Sequence, residues 1–440
     1  MRVQYVEHKI YGRGRICKER FGGFELYVEF EDGMSRWVRR DEVEFIGKLM
    51  PEKAAPVLSE EKFGARQIIE SLRMGIVPHD YVEEFTFGRE KEIQKIKDWL
   101  NEMKGGFYII TGEYGSGKTH LLEYIRSISL KEGWATARVE IGREEGSFHR
   151  PYQIYQQIAK SFKCRIEGKI LSFREFLREI INKDKSYHLE EHEYLNKLQE
   201  ELRKREKEIY QPLSEEPVWE WIEGERDYGK PSMYKAGTAA NIYCYILNGI
   251  SWSAHEILGL KGLLVLFDEA ENIIEANYQY QLEKGKNFLR GLFMLAENNS
   301  DLLEERIENL WGSKTGLRYH GFGQIRRFAW RLPSYLKVIL AFTPPWKDYE
   351  NKLNIKVTKE NTLNIEPLDE NALKKIFDKI ISLYKEAYNH IDLSEVDKLI
   401  EYIPRGKTRL GKTRLFIKGI IEALDLKRFY PEKSCGELLR

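Results

Sequence analysis

The chain has 440 residues, 42% of them hydrophobic, enough for two or three domains with their own cores. Its 71 Lys and Arg stand against 70 Asp and Glu, a formal net charge of +1, so global charge neither demands nor forbids a nucleic-acid partner and any basic surface must be local. Cys17, Cys164, Cys244 and Cys435 fit no zinc or CxxC spacing, which excludes a structural zinc module and leaves free thiols of a reducing compartment. No leader pattern and no apolar run of membrane-spanning length occurs, so the expectation is a soluble, cytoplasmic protein with no membrane partner.

Residues 1–47 read as a small all-β module of four or five strands. Runs such as Glu25-Leu26-Tyr27-Val28-Glu29-Phe30 alternate in polarity at the strand period, cut by turn signals at Gly12–Gly14, Gly22-Gly23 and Asp32-Gly33. An SH3- or Tudor-like barrel is the expectation. Arg13, Arg15, Lys18, Arg20, Arg36, Arg39 and Arg40 are interleaved there with Tyr11, Phe24, Tyr27 and Trp37. That mixture suits a nucleic-acid surface and equally an ordinary barrel core with a charged exterior. A linker at 48–62 follows.

From Phe63 the texture changes to α/β alternation, and residues 63–365 read as one P-loop core. Ala65–Met74 and Lys91–Met103 are amphipathic helices, Phe107–Thr111 is an apolar strand, Lys118–Gly133 is a helix and Thr136–Glu140 the next strand. Residues 143–260 show no strong strand; a helical insertion is expected at about 165–235, with Ile154–Phe162 and Phe173–Ile181 helical. Leu189–Tyr210 is so rich in Glu, Lys and Arg that it reads as a solvated helix or an exposed arm. Leu263–Phe267 and Leu336–Phe342 are buried strands. Residues 366–440 read as a C-terminal helical lid or winged-helix-like region with a break at Pro404–Gly411.

Between the first apolar strand and its helix lies Gly112-Glu113-Tyr114-Gly115-Ser116-Gly117-Lys118-Thr119, a full G-x-x-x-x-G-K-[ST] match in the right context. Glycines let backbone N–H groups turn inward on phosphate oxygens, and the helix N-terminus adds partial positive charge. Lys118 supplies a point charge, the Thr119 hydroxyl is placed for Mg²⁺, and His120 follows within the same turn. The strand Leu263–Phe267 ends in Asp268-Glu269. Asp268 is the expected metal-side carboxylate and Glu269 the general base for water, which favours hydrolysis of ATP over transfer to a small acceptor. No acceptor-binding signature for a kinase is present.

The stretch Phe85–Ile93, containing Gly88 and Arg89, together with the loop, the Asp-Glu strand and the helix opened by Gly411-Lys412-Thr413-Arg414, resembles AAA+ and STAND-type ATPases of the origin-recognition style. From Ala65 to the end the chain looks like the BREX-system ATP-binding protein family, through Ala65–Arg73 with Gly75–Pro78, Trp219–Glu225 and Tyr319–Arg327. Through Val6-Glu7-His8, Tyr11–Ile16 and Val28–Gly33, the small module is similar to the small barrel at the C-terminus of UvrD-type helicases and to polymerase-binding Tudor-like domains, which bind proteins or nucleic acid. These resemblances imply ATPase activity, an oligomer formed through the ATPase domain, and a role in antiphage defence beside DNA, a helicase, a nuclease or a methyltransferase. They imply that Gly88-Arg89 lies beside the adenine and that Thr343, which ends the strand Leu336–Phe342, reports the γ-phosphate; a Thr capping a strand before Pro344-Pro345 is the plainer reading. Arg414 or Arg409 would reach the nucleotide from the lid. Arg326, Arg327 or Arg331 would act as an arginine finger toward a neighbouring subunit, or form a solvated basic face. A slowly hydrolysing signalling switch and an adaptor working through the barrel remain open alternatives.

Overall fold

The computed structural model describes residues 5–46, 60–102, 106–142, 146–207, 214–227, 229–233, 240–275, 278–304, 314–318, 327–343, 346–353, 355–388, 412–434 and 437. They divide into two compact units, Met1–Gly64 and Ala65–Arg440. Among them no helix is long and apolar enough to cross a membrane.

The first unit is an antiparallel five-stranded sheet: β1 (Tyr5–His8), β2 (Gly12–Arg20), β3 (Glu25–Phe30), β4 (Ser35–Arg39) and β5 (Val43–Ile46), in the order β4-β3-β2-β1-β5. Period-two alternation sends Leu26, Val28 and Phe30 of β3 inward, where they meet Val6, Val38 and Val43. The aromatics of the basic set mostly stay outside: Phe24 is strongly exposed, and Tyr11 and Trp37 partly so. The Arg20 guanidinium lies 4.2 Å from the Trp37 ring and that of Arg36 lies 4.6 Å from Tyr11. Acidic neighbours hold part of the basic set, since Arg15 pairs with Glu29, Arg20 with Glu25 and Arg36 with Asp32.

The second unit is α/β, a parallel sheet that carries the G-x-x-x-x-G-K-T loop, with a C-terminal helical region. In chain order come α1 (Glu60–Arg73), which leads into it, α2 (Glu90–Asn101), β6 (Gly106–Gly112), α3 (Lys118–Lys131), β7 (Ala135–Glu140), α4 (Pro151–Ser161), β8 (Cys164–Ile166), β9 (Lys169–Leu171), α5 (Phe173–Asn182), α6 (Glu193–Lys207), α7 (Glu216–Ile222) and α8 (Ala240–Glu256). Then follow β10 (Leu263–Asp268), α9 (Gln279–Ala296), α10 (Asp301–Glu304), β11 (Leu336–Phe342), α11 (Trp346–Leu353), β12 (Thr362–Ile365), α12 (Glu370–Ala387) and α13 (Lys412–Phe429). Five strands pair in parallel in the order β12-β6-β11-β10-β7. Both faces are covered, which is why the central strands β6 and β10 are apolar almost throughout, while β7 and β12 at the sheet's edges carry polar residues such as Arg138 and Asn364. Phe107 and Ile109 face one core with Val265, Phe267, Val338 and Leu340. Tyr108 and Ile110 face the other with Leu264, Leu266, Ile339, Leu121 and Ile125.

Two sequence expectations are corrected here. Leu189–Tyr210 is not a solvated arm: within α6, Tyr194, Leu195, Leu198 and Leu202 are buried in the main core. Their helical spacing forms an apolar stripe that the abundant charge on the other face conceals. Residues 143–260, expected to show no strong strand, carry the short hairpin β8–β9 of three-residue strands, turned by Glu167 and Gly168, both at positive φ. Finally, α1 does not stand with the loop-bearing sheet: Ala65, Ile68, Ile69 and Leu72 pack with Phe377, Ile380 and Tyr384 of α12 and Ile420, Ile421 and Leu424 of α13. The break expected at Pro404–Gly411 lies outside the described residues.

Candidate nucleotide site

The loop stands at the C-terminal end of β6, where the parallel sheet opens. Gly112 is tightly enclosed: a Cβ there would come within 2.5 Å of Ser116 Oγ and 3.0 Å of Ile365 O on β12. Gly115 and Gly117 take positive φ, and Gly117 caps α3. The Lys118 ammonium is folded back over the loop, donating to Gly112 O at 2.8 Å and to Glu113 O at 3.3 Å. Burial lowers its pKa, opposed by the charges of Glu271, Asp268, Glu113 and Glu269. A cation that feels four carboxylates lies at a real convergence of the loop with the end of β10. Glu113, Tyr114 and Thr119 are exposed on the open side.

Arg89 fastens the loop from outside. Its guanidinium is buried, donates to Ser116 O at 2.8 Å and pairs with Glu92 at 3.0 Å. A Cβ on Gly88 would come within 2.7 Å of Ala372 Cβ, so this segment lies against the first turn of α12. His120 is tied to the same stretch through Thr86 Oγ1 at 2.8 Å. Burial, helped by the Arg89 charge, pushes the His120 pKa down to about 4, so the ring is neutral at neutral pH.

The carboxylates sit on the strand beside the loop strand's neighbour. Asp268 is only 3% exposed, and both its oxygens are engaged: Oδ2 accepts from Arg138 Nη2 at 2.8 Å and Oδ1 from the Glu269 N–H at 3.1 Å. Glu269 turns the chain at φ 54° and ψ 41°, a left-handed conformation uncommon for a non-glycine residue. Its pKa is raised, first by burial and then by Glu140, Asp268 and Glu271. Asn272 Nδ2 bonds Ile141 O at 2.6 Å and lies 3.5 Å from Glu269 Oε2. Thr343, at the end of β11, donates its hydroxyl to Glu271 Oε1 at 2.6 Å.

The donor set fits a phosphate with a hard cation. Ser116 Oγ is buried within the loop and makes no hydrogen bond, as a hydroxyl awaiting an oxyanion would. No three His, Cys, Asp or Glu side chains among the described residues cluster to cage a metal. Oxygen donors here are the Thr119 hydroxyl and the Asp268 carboxylate, the kind that hold Mg²⁺ together with nucleotide phosphates.

Three of the arginines expected near the nucleotide, in this chain or in a neighbouring one, are among the described residues. Arg414 donates to Met74 O at 3.3 Å beside the end of α1. Arg327 donates to Leu303 O at 2.9 Å and is otherwise exposed. Arg331 pairs with Glu191 and stacks over Trp330 and Trp252, held within its own chain. Arg326 and Arg409 lie outside the described residues.

Residues 61–216 match the model of a known family, the BREX system ATP-binding protein BrxC/D. The resemblance read from the sequence holds over that stretch. Among curated proteins none matches this chain. Similar solved structures include one titled "Structure of Drosophila ORC bound to DNA", at 14% identity and a TM-score of 0.38, covering 90% of this chain and 69% of that one. Another is the Aeropyrum pernix ORC2 protein in ADPNP-ADP complexes, at 13% identity and a TM-score of 0.37, covering 80% and 66%. The P-loop assignment rests on this chain's own loop and sheet order. Sequence reasoning missed Arg138, Glu271 and Asn272. Glu271 and Asn272 follow Asp268-Glu269 after the single residue Ala270 and were within reach; Arg138 gave no signal.

Proposed function

We propose that the chain binds ATP with Mg²⁺ and hydrolyses it to ADP and phosphate. The carrying observation is the Lys118 ammonium, held over the loop carbonyls while within the field of Asp268, Glu269 and Glu271. Loop N–H groups and Lys118 bind and orient the phosphates. Thr119 and Asp268 would hold the cation, which supplies charge neutralisation at the phosphates. Glu269 takes the proton of the attacking water as its oxygen bonds to the γ-phosphorus and the bond to the bridging oxygen breaks. A raised carboxyl pKa suits that task. Thr343 reports the γ-phosphate by exchanging Glu271 for it.

The reading extends to a motor or switch acting on DNA, or on a DNA-processing partner, in phage defence as an oligomer. Its supports are the BrxC/D match and the cation–aromatic surface of the five-stranded module, which we read as a Tudor-like barrel. Lys118→Ala tests the core of the proposal. It removes charge-assisted contacts worth about 1.5–3 kcal/mol each, and calorimetry should show ATP binding abolished. Unchanged affinity sinks the site.

A further inference from the structure

Resting on that reading, we propose that Arg138 is a positioning residue that sets how strongly Asp268 can hold a divalent cation. Arg138 stands on β7, the strand beside β10. Its guanidinium bridges two acids: Nη2 donates to Asp268 Oδ2 and Nη1 to Glu123 Oε1 on α3, each at 2.8 Å. Asp268 and Glu123 are both buried. Arg126, one turn along α3, lies 3.9 Å from Glu123. Two buried acids and two half-buried arginines thus form a charge-matched quartet spanning α3, β7 and β10.

The arrangement has two effects on Asp268. Its carboxylate plane is fixed, with Arg138 on one oxygen and the Glu269 N–H on the other. Its negative charge is also largely matched before any metal arrives. A carboxylate compensated in this way attracts a cation weakly by itself, so metal and nucleotide must bind together. Strand β7 thereby decides a property of the phosphate site without touching the phosphates.

The test titrates Mn²⁺ into the protein saturated with ADP and follows free Mn²⁺ by electron paramagnetic resonance, a readout independent of turnover. Arg138→Met removes a full positive charge from Asp268, and half-saturating Mn²⁺ should fall by about tenfold. That variant buries an unmatched acid and can lose stability, so Arg138→Met/Glu123→Gln is measured beside it. The double variant keeps the quartet neutral, and the same tightening is expected. Arg138→Lys retains the charge and should stay within about twofold of wild type on the same Coulombic ground. Mn²⁺ binding that is no tighter in the two Met variants overturns the inference while leaving the nucleotide site standing. Failure of the wild-type protein to retain ADP defeats the nucleotide reading itself, and this inference with it.

Discussion

Thr343 and Glu271 hold each other by two bonds: the threonine hydroxyl donates to Oε1 at 2.6 Å and its backbone N–H to Oε2 at 3.1 Å. The side chain at the end of β11 is thus directed by an acid that follows β10. Glu271 is also the leading carboxylate in the field felt by Lys118. Its charge repels phosphate. We expect Glu271→Gln to tighten ADP binding by roughly threefold to tenfold, the scale of one partly screened charge. Calorimetry checks this, and an unchanged or weaker affinity shows that the charge is not felt at the phosphates.

Glu269→Gln should retain ATP while slowing hydrolysis by roughly 10²-fold, the usual scale for a general base. Asp268→Asn should instead loosen the cation. Because the folded pKa of Glu269 is raised, the acid limb of kcat should lie above the ordinary glutamate value of 4.5. The stability sign is the reverse of a salt-bridged acid: the unfolded chain loses this proton first, so this group's contribution falls as pH rises from 4.5 through the raised value. A kcat profile with its acid limb at or below 4.5 would count against Glu269 as the base.

Lys337 is buried on β11, donating to Trp99 O at 2.5 Å with its ammonium 4.3 Å from the Trp99 ring. Burial lowers its pKa to about 8 from 10.5. Between those values the unfolded chain binds more protons, so the wild type gains stability as pH rises through that window. Lys337→Met lacks this term. Relative to it, the wild type should gain up to roughly 3 kcal/mol from pH 8 to 10.5. Denaturant midpoints of both proteins across that range measure it; parallel curves would show that the lysine is solvated.

Deleting residues 1–47 should leave basal ATPase activity largely intact, since the loop and carboxylates lie in the second unit. It should reduce a weak, sequence-tolerant and strongly salt-dependent DNA affinity. Anisotropy with a labelled oligonucleotide at two salt concentrations, on both proteins, is the measurement. Equal affinities would move the five-stranded module to a protein partner, the outcome favoured by the ion pairs that already hold Arg15, Arg20 and Arg36.

The sequence by itself determined what is local. A G-x-x-x-x-G-K-[ST] loop between an apolar strand and a helix, and a buried strand ending in Asp268-Glu269, need only neighbouring residues to be recognised. Burial on both faces makes β6 and β10 apolar runs, and β11 one interrupted by Lys337 alone, so their limits were legible to within a residue. Tertiary structure decided whatever depends on residues far apart in the chain. Arg138 reaches Asp268 across 130 positions, and Thr343 reaches Glu271 across 72. No periodicity encodes such meetings; the order of strands in the sheet makes them. The same holds for α1, whose apolar stripe was evident but whose partners, α12 and α13, lie some 300 residues further along. An amphipathic face states that a helix must be covered, and only the folded chain states by what.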